Sequence, residues 1–177
     1  MHRTTPLRIA LACLALALGI ASAASANNTI HFSGNLTDAT CSVEGIGKAG
    51  PSFAVVLPTV SVAELDTPNS TAGTTRFGLQ LSGCDPGVNG VRTYFLAGPH
   101  LDSDTNSLLP NNGGPVHFAL YTEDGIRVHI GAELPQATQS VGRDEALYFD
   151  VAYIRARPGP ITPGPFEALV TYALDYL

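Results

Sequence analysis

The sequence predicts an all-β sandwich, and three observations carry that reading. Apolar residues recur at every second position in several short runs, such as Phe77, Leu79 and Leu81, then Leu147, Phe149, Val151 and Tyr153. A strand points successive side chains to opposite faces, so each run buries one face and wets the other. Turns rich in glycine and proline separate the runs, and no 3.6-residue periodicity is long enough for a substantial helix. Short strands at this spacing make a sandwich. Composition agrees: 14% of residues are charged, with 18 glycines, 13 prolines and no tryptophan.

The chain opens with an export leader. His2, Arg3 and Arg8 give a basic start, and residues 9–21 form an apolar run of h-region length. Ala24-Ser25-Ala26 is a small-x-small cleavage site, and Ala21-Ser22-Ala23 is a rival three residues earlier. The run is too short to span a bilayer comfortably. This division predicts a signal peptide at 1–26, an extension at 27–37 and one domain at 38–177.

The first exported strand is Thr29-Ile30-His31-Phe32-Ser33-Gly34-Asn35-Leu36. Ile30, Phe32, Gly34 and Leu36 make one row, and polar residues fill the other. Residues 40–43 follow, then a glycine-rich turn at 45–51. Residues 52–57 read as a strand stopped by Pro58, and 60–65 as another short one. A polar loop at 66–73 leads to a strand at 75–84, and 91–97 resumes after Asp85-Pro86-Gly87. Residues 100–115 are the longest irregular stretch. Residues 116–122 and 126–130 flank Glu123-Asp124-Gly125, a hairpin signal because Asp-Gly accepts positive φ angles. A longer strand covers 146–156, a rigid proline-rich loop follows, and 166–177 closes the chain.

Cys13 leaves with the leader, so the exported chain holds Cys41 and Cys84. Two cysteines in an exported chain read as one disulfide. A redox or metal pair needs CxxC spacing or nearby histidine ligands, and neither is present. The closing strand places Phe166, Ala168, Val170, Tyr172, Leu174 and Tyr176 on one face. An edge this apolar must be covered, by another strand of the same domain or by a partner's, because unpaired strand groups template aggregation.

These features together resemble the type 1 pilin family of chaperone–usher fimbrial subunits. The carrying residues are Thr29 to Gly34 ahead of Cys41, the run Phe77-Gly78-Leu79-Gln80-Leu81-Ser82-Gly83-Cys84, the penultimate Tyr176, and Gly164, fourteenth from the end. The resemblance implies an incomplete immunoglobulin-like sandwich lacking its last strand. It also implies a groove strand (Phe166, Val170, Tyr172, Leu174, Tyr176), a chaperone-recognition motif (Gly164, Tyr176) and a donor strand (Ile30, Phe32, Gly34, Leu36). The implied partners are a periplasmic chaperone, an outer-membrane usher and neighbouring pilin subunits, on a route through the periplasm to the cell surface. Strand addition of this kind gains affinity from main-chain bonds and specificity from alternate side chains. The segment before Ile30 is short, which fits a minor or tip-proximal subunit, slower exchange, or cleavage nearer Ala23.

Other classes are weakly supplied. A formal net charge of −6 and no basic cluster argue against nucleic acid. No G-x-S-x-G elbow is present, and Ser42, Ser82 and Ser140 lack a nucleophile context. His31, His100, His117 and His129 are scattered; the last two could meet across the hairpin, but two histidines make a poor metal site. Asp102, Asp104 and Asn106 alternate like calcium ligands without the glycine and glutamate that complete such a loop. The expectation is therefore no enzyme and no cofactor. The alternative function is a receptor-binding module of the same fold, using the 100–115 loop against a host surface.

Overall fold

The computed structural model describes residues 40–131, 139–142 and 144–177. The leader and the segment carrying Ile30, Phe32, Gly34 and Leu36 lie outside the described residues. The rest is an antiparallel immunoglobulin-like sandwich. One sheet runs β1 (Ser42–Gly45), β2 (Thr71–Ser82), β8 (Ala146–Arg155), β6 (Val116–Thr122), β5 (Ser107–Leu108) and β4 (Leu101–Asp102); the other runs β7 (Gln139–Val141), β3 (Val91–Leu96) and β9 (Thr171–Tyr176).

Alternation sets what each strand buries. Leu79 and Leu81 on β2, and Leu147, Phe149 and Val151 on β8, are buried in one cluster with Val91 and Phe95 of the facing sheet. At its centre the Phe149 ring meets Phe95 edge-on at 5.0 Å and Phe77 at 5.7 Å. Cys41 and Cys84 are joined, with an S–S distance of 2.00 Å. The link sits beside the first rung of the β1–β2 ladder, where Ser42 pairs with Ser82. At the far end of the chain Leu177 is stitched by its backbone to Asn89 and Gly90, at 2.6 and 2.8 Å.

Several elements differ from the sequence expectation. Residues 62–65 form a 3-10 turn, not a strand, because Ser61 and Glu64 cap it: Ser61 Oγ accepts from Ala63 N at 3.3 Å and Glu64 Oε1 from Ser61 N at 2.8 Å. β2 starts at Thr71, inside the polar loop, and continues past a register shift between Ala72 and Thr75. Gly73 takes φ +66° there, and a Cβ would meet the Tyr153 ring and Val60 at 3.0 Å. The stretch 100–115 contains the short strands β4 and β5. The closing strand is paired only over Thr171–Tyr176 among the described residues.

The 100–108 segment covers a polar knot. His117 on β6 is fully buried. Its Nε2 faces the Gly114 carbonyl at 3.2 Å and so carries the proton; its Nδ1 lies 2.7 Å from Ser107 Oγ, which donates to it in the neutral ring. Asp102 Oδ2 stands 3.5 Å from the same Nδ1. Arg157 Nε and Nη2 clamp the two Asp102 oxygens at 2.7 Å each. Asn106, in a left-handed conformation, donates to Val128 O at 2.9 Å and accepts from Ile130 N at 3.0 Å.

This knot makes stability fall in acid in two stages. Burial pushes the His117 pKa below its ordinary 6.5, so under that pH the unfolded chain takes a proton that the folded chain refuses. Hydrogen bonds from Arg157 hold the Asp102 carboxyl at about 2 against an ordinary 3.8, so its contribution is complete above that ordinary value and lost on the way down to about 2. Urea midpoints measured across pH are expected to decline first below 6.5 and again below about 4. Asp102→Asn should remove the second decline.

Candidate assembly groove

Two extended segments face each other over the core. The first is 51–60, which reads Phe-x-Val-x-Leu before Pro58; Phe53, Val55 and Leu57 are half-buried against the core while Ala54 and Val56 point out. Gly45 lets it seat, since a Cβ there would lie 2.5 Å from the Phe53 ring. The second is 166–176, where Phe166, Ala168, Val170, Tyr172, Leu174 and Tyr176 pack on the core and Leu169 is 77% exposed. Alternation in the sequence dictates both walls.

The aromatic core lies between the walls. Phe53 stands 6.5 Å from Phe77, Phe77 stands 6.5 Å from Phe95, and Phe95 pairs with Tyr172 on β9. Tyr172 Oη donates to the Pro51 carbonyl at 2.7 Å and ties the walls at one end. At the other end Val60 and Phe166 share a small cluster with Leu65, Ala72 and Val116. One absent strand opens a gap of about 9–10 Å between its neighbours. A tyrosine side chain plus its hydrogen bond reaches about that far.

β9 gives one edge of its ladder to β3. Among the described residues no strand takes its other edge, and none pairs with 52–57. Burial raises the Tyr172 pKa, as expected for a phenol packed on apolar side chains. Among the described residues, the arrangement offers a row of backbone groups without ladder partners above an apolar floor. It fits an extended peptide with apolar side chains at alternate positions.

The sequence-predicted residues fall into distinct places. Phe166, Val170, Tyr172, Leu174 and Tyr176 come together as one wall. Gly164 lies at the head of that wall, in a shallow recess with Asn111, Asn112, Pro163, Pro165 and Glu167. A Cβ on Gly164 would touch nothing within 4 Å, but its φ of +159° is a backbone conformation that residues with a side chain rarely adopt. His117 and His129 do not meet: one is buried in the polar knot, the other exposed. Asp102 and Asp104 hold Arg157. Among the described residues no group of three or more His, Cys, Asp or Glu is placed to bind a metal. The second wall was legible as a strand but not as half of a groove, and the Tyr172–Pro51 tie had no local signal.

A protein-family model described as fimbrial protein matches residues 30–177. The chain belongs to the fimbrial protein family. Among fimbrial relatives, the major fimbrial subunit SMF-1 of Stenotrophomonas maltophilia (strain K279a) is 34% identical, over 91% of this chain and 99% of its own. The F17 fimbrial protein of Escherichia coli is 30% identical, over 90% and 96%. The fimbrial fold also resembles the P pilus rod subunit PapA, with a TM-score of 0.61 at 18% identity over 77% of this chain and 99% of that one. A chaperone–usher pilus structure gives 0.62 at 19% identity over 86% and 97%.

Proposed function

We propose that the protein is a structural subunit of a chaperone–usher pilus on the cell surface, which polymerises by accepting a strand from one neighbour and giving one to another. The observation that carries this is the edge of β9 that no strand among the described residues pairs, across from 52–57 and over a floor of Phe77 and Phe95. The leader at 1–26 takes the chain to the periplasm, where a chaperone fills the groove until the usher exchanges it for the extension at 27–37 of another subunit. Ile30, Phe32 and Leu36 enter the groove, and each adds roughly 1.5–3 kcal/mol by transfer from water. Gly34 allows close backbone approach. Gly164 and Tyr176 mark the chaperone-facing strand.

The receptor-binding alternative is the weaker one. Part of its loop at 100–115 is anchored in the sandwich: Ser107, Leu108 and Pro110 are buried, and His100 Nδ1 is bonded to Leu109 O at 2.8 Å. Deleting 27–36 tests the proposal. The shortened subunit is expected to keep its disulfide and sheet content, to stop forming fibres, and to take up a synthetic 27–37 peptide. Fibres of normal length from the shortened chain would refute the strand-donor role.

A further inference from the structure

Very little joins the two walls of the groove to each other. Among the described residues 52–57 belongs to no ladder, and one hydrogen bond crosses between 51–60 and 166–176, from Tyr172 Oη to Pro51 O at 2.7 Å. The turn behind the first wall adds a bond from Gly45 N to Gly50 O at 3.0 Å, which stops short of the wall itself. From there the wall rests on Phe53, Val55 and Leu57. Apolar packing is non-directional, so it holds the wall down on the core without setting its sideways position.

Two apolar rows that face each other across an empty strand's width attract, because closing them removes apolar area from water. Tyr172 stands in that gap. It belongs to the inward row of β9, paired with Phe95 on β3, so its ring lies on the groove floor, below the level of a strand running between the walls. The ring is rigid and its hydroxyl bond is directional. At that end the walls can neither close nor drift apart without displacing the ring or losing the bond.

We propose that Tyr172 is a positioning residue that gauges the groove, holding the 51–60 wall one strand's width from β9 before a strand arrives. This rests on the strand-acceptor role proposed above. The gain is preorganisation: a wall already in place does not have to be ordered during binding, which lowers the cost of association. Once a strand lies between the walls, its own ladder bonds fix their spacing and the Tyr172 bond becomes redundant. The effect is therefore confined to the empty subunit. Pro51 suits the accepting end, since its ring restricts φ and stiffens the point where turn becomes wall.

The test is Tyr172→Phe, which keeps the ring and deletes only the hydroxyl. Uptake and release of a synthetic 27–37 peptide are timed on the mature subunit and on the variant. Association should slow by about two- to tenfold, the range for one neutral hydrogen bond, because fewer empty subunits have the wall in place; dissociation should not change. Faster association would make the bond a latch that the strand must break, and equal association a bystander; either overturns the proposal. Faster dissociation would show a direct grip on the bound strand and overturn it too. Spin labels at Val56→Cys and Leu169→Cys, exposed positions on the two walls, give a reading that needs no uptake. The distance distribution of the empty subunit should be narrow with Tyr172 and broad with Tyr172→Phe, and peptide should narrow the second. An equally narrow distribution without the hydroxyl would overturn the proposal. No uptake by either protein would count against the strand-acceptor role instead, and the label distances would still decide what Tyr172 does.

Discussion

Replacing Cys41 and Cys84 together by serine is expected to destabilise the subunit by about 4 kcal/mol, the chain-entropy value for a separation of 43 residues. Domains of this size have roughly 5–15 kcal/mol in total, so the loss is a large fraction. The crosslink closes a segment that contains β1, the 51–60 wall and all of β2. Freeing Cys41 lets β1 fray from β2, and the Gly45 contact that seats Phe53 goes with it. Two readings should therefore fall together: the urea midpoint of the oxidised protein against the double serine variant, and peptide uptake at equal folded fraction. A change below about 1 kcal/mol would mean that the ladder alone fixes β1.

Phe149→Ala should cost about 3–5 kcal/mol, the range for emptying a buried phenylalanine site. The ring is fully buried and bridges the sheets, meeting Phe77 in one and Phe95 in the other. Collapse around the hole is limited, because both neighbours are held by ladder pairs, Phe77 with Phe149 itself and Phe95 with Tyr172. Since Phe77 and Phe95 also floor the groove, surviving folded protein should take up peptide more weakly. Leu169→Ala is the control. That side chain is 77% exposed, and its loss should stay within about 0.5 kcal/mol.

Much of this was legible because strand alternation is a local signal. The inward rows of β2, β8 and the closing strand follow from every-second-residue patterns, and the cysteine pair from export and count. Less legible was anything set by distant pairing. Residues 166–170 and 52–57 carry strand patterns without a ladder among the described residues, and no local rule says which strand lacks its partner. The 62–65 turn was misread because its apolar content masked the Ser61–Glu64 capping signature. Asp102, Asp104 and Asn106 looked like cation ligands; their actual partners, Arg157 and the backbone of Val128 and Ile130, are remote in sequence. His117 gave no hint of burial, because its neighbours on β6 alternate as any half-buried strand does.

The fastening of Leu177 to Asn89 and Gly90 has a practical side. The carboxyl terminus offers no slack: an affinity handle or fluorescent reporter fused there would begin directly beside the end of the wall and crowd whatever binds it. The exposed tip of the hairpin at 123–126 is far better suited to carry a label, since its residues stand in solvent and its Asp-Gly turn already tolerates an abrupt change of direction.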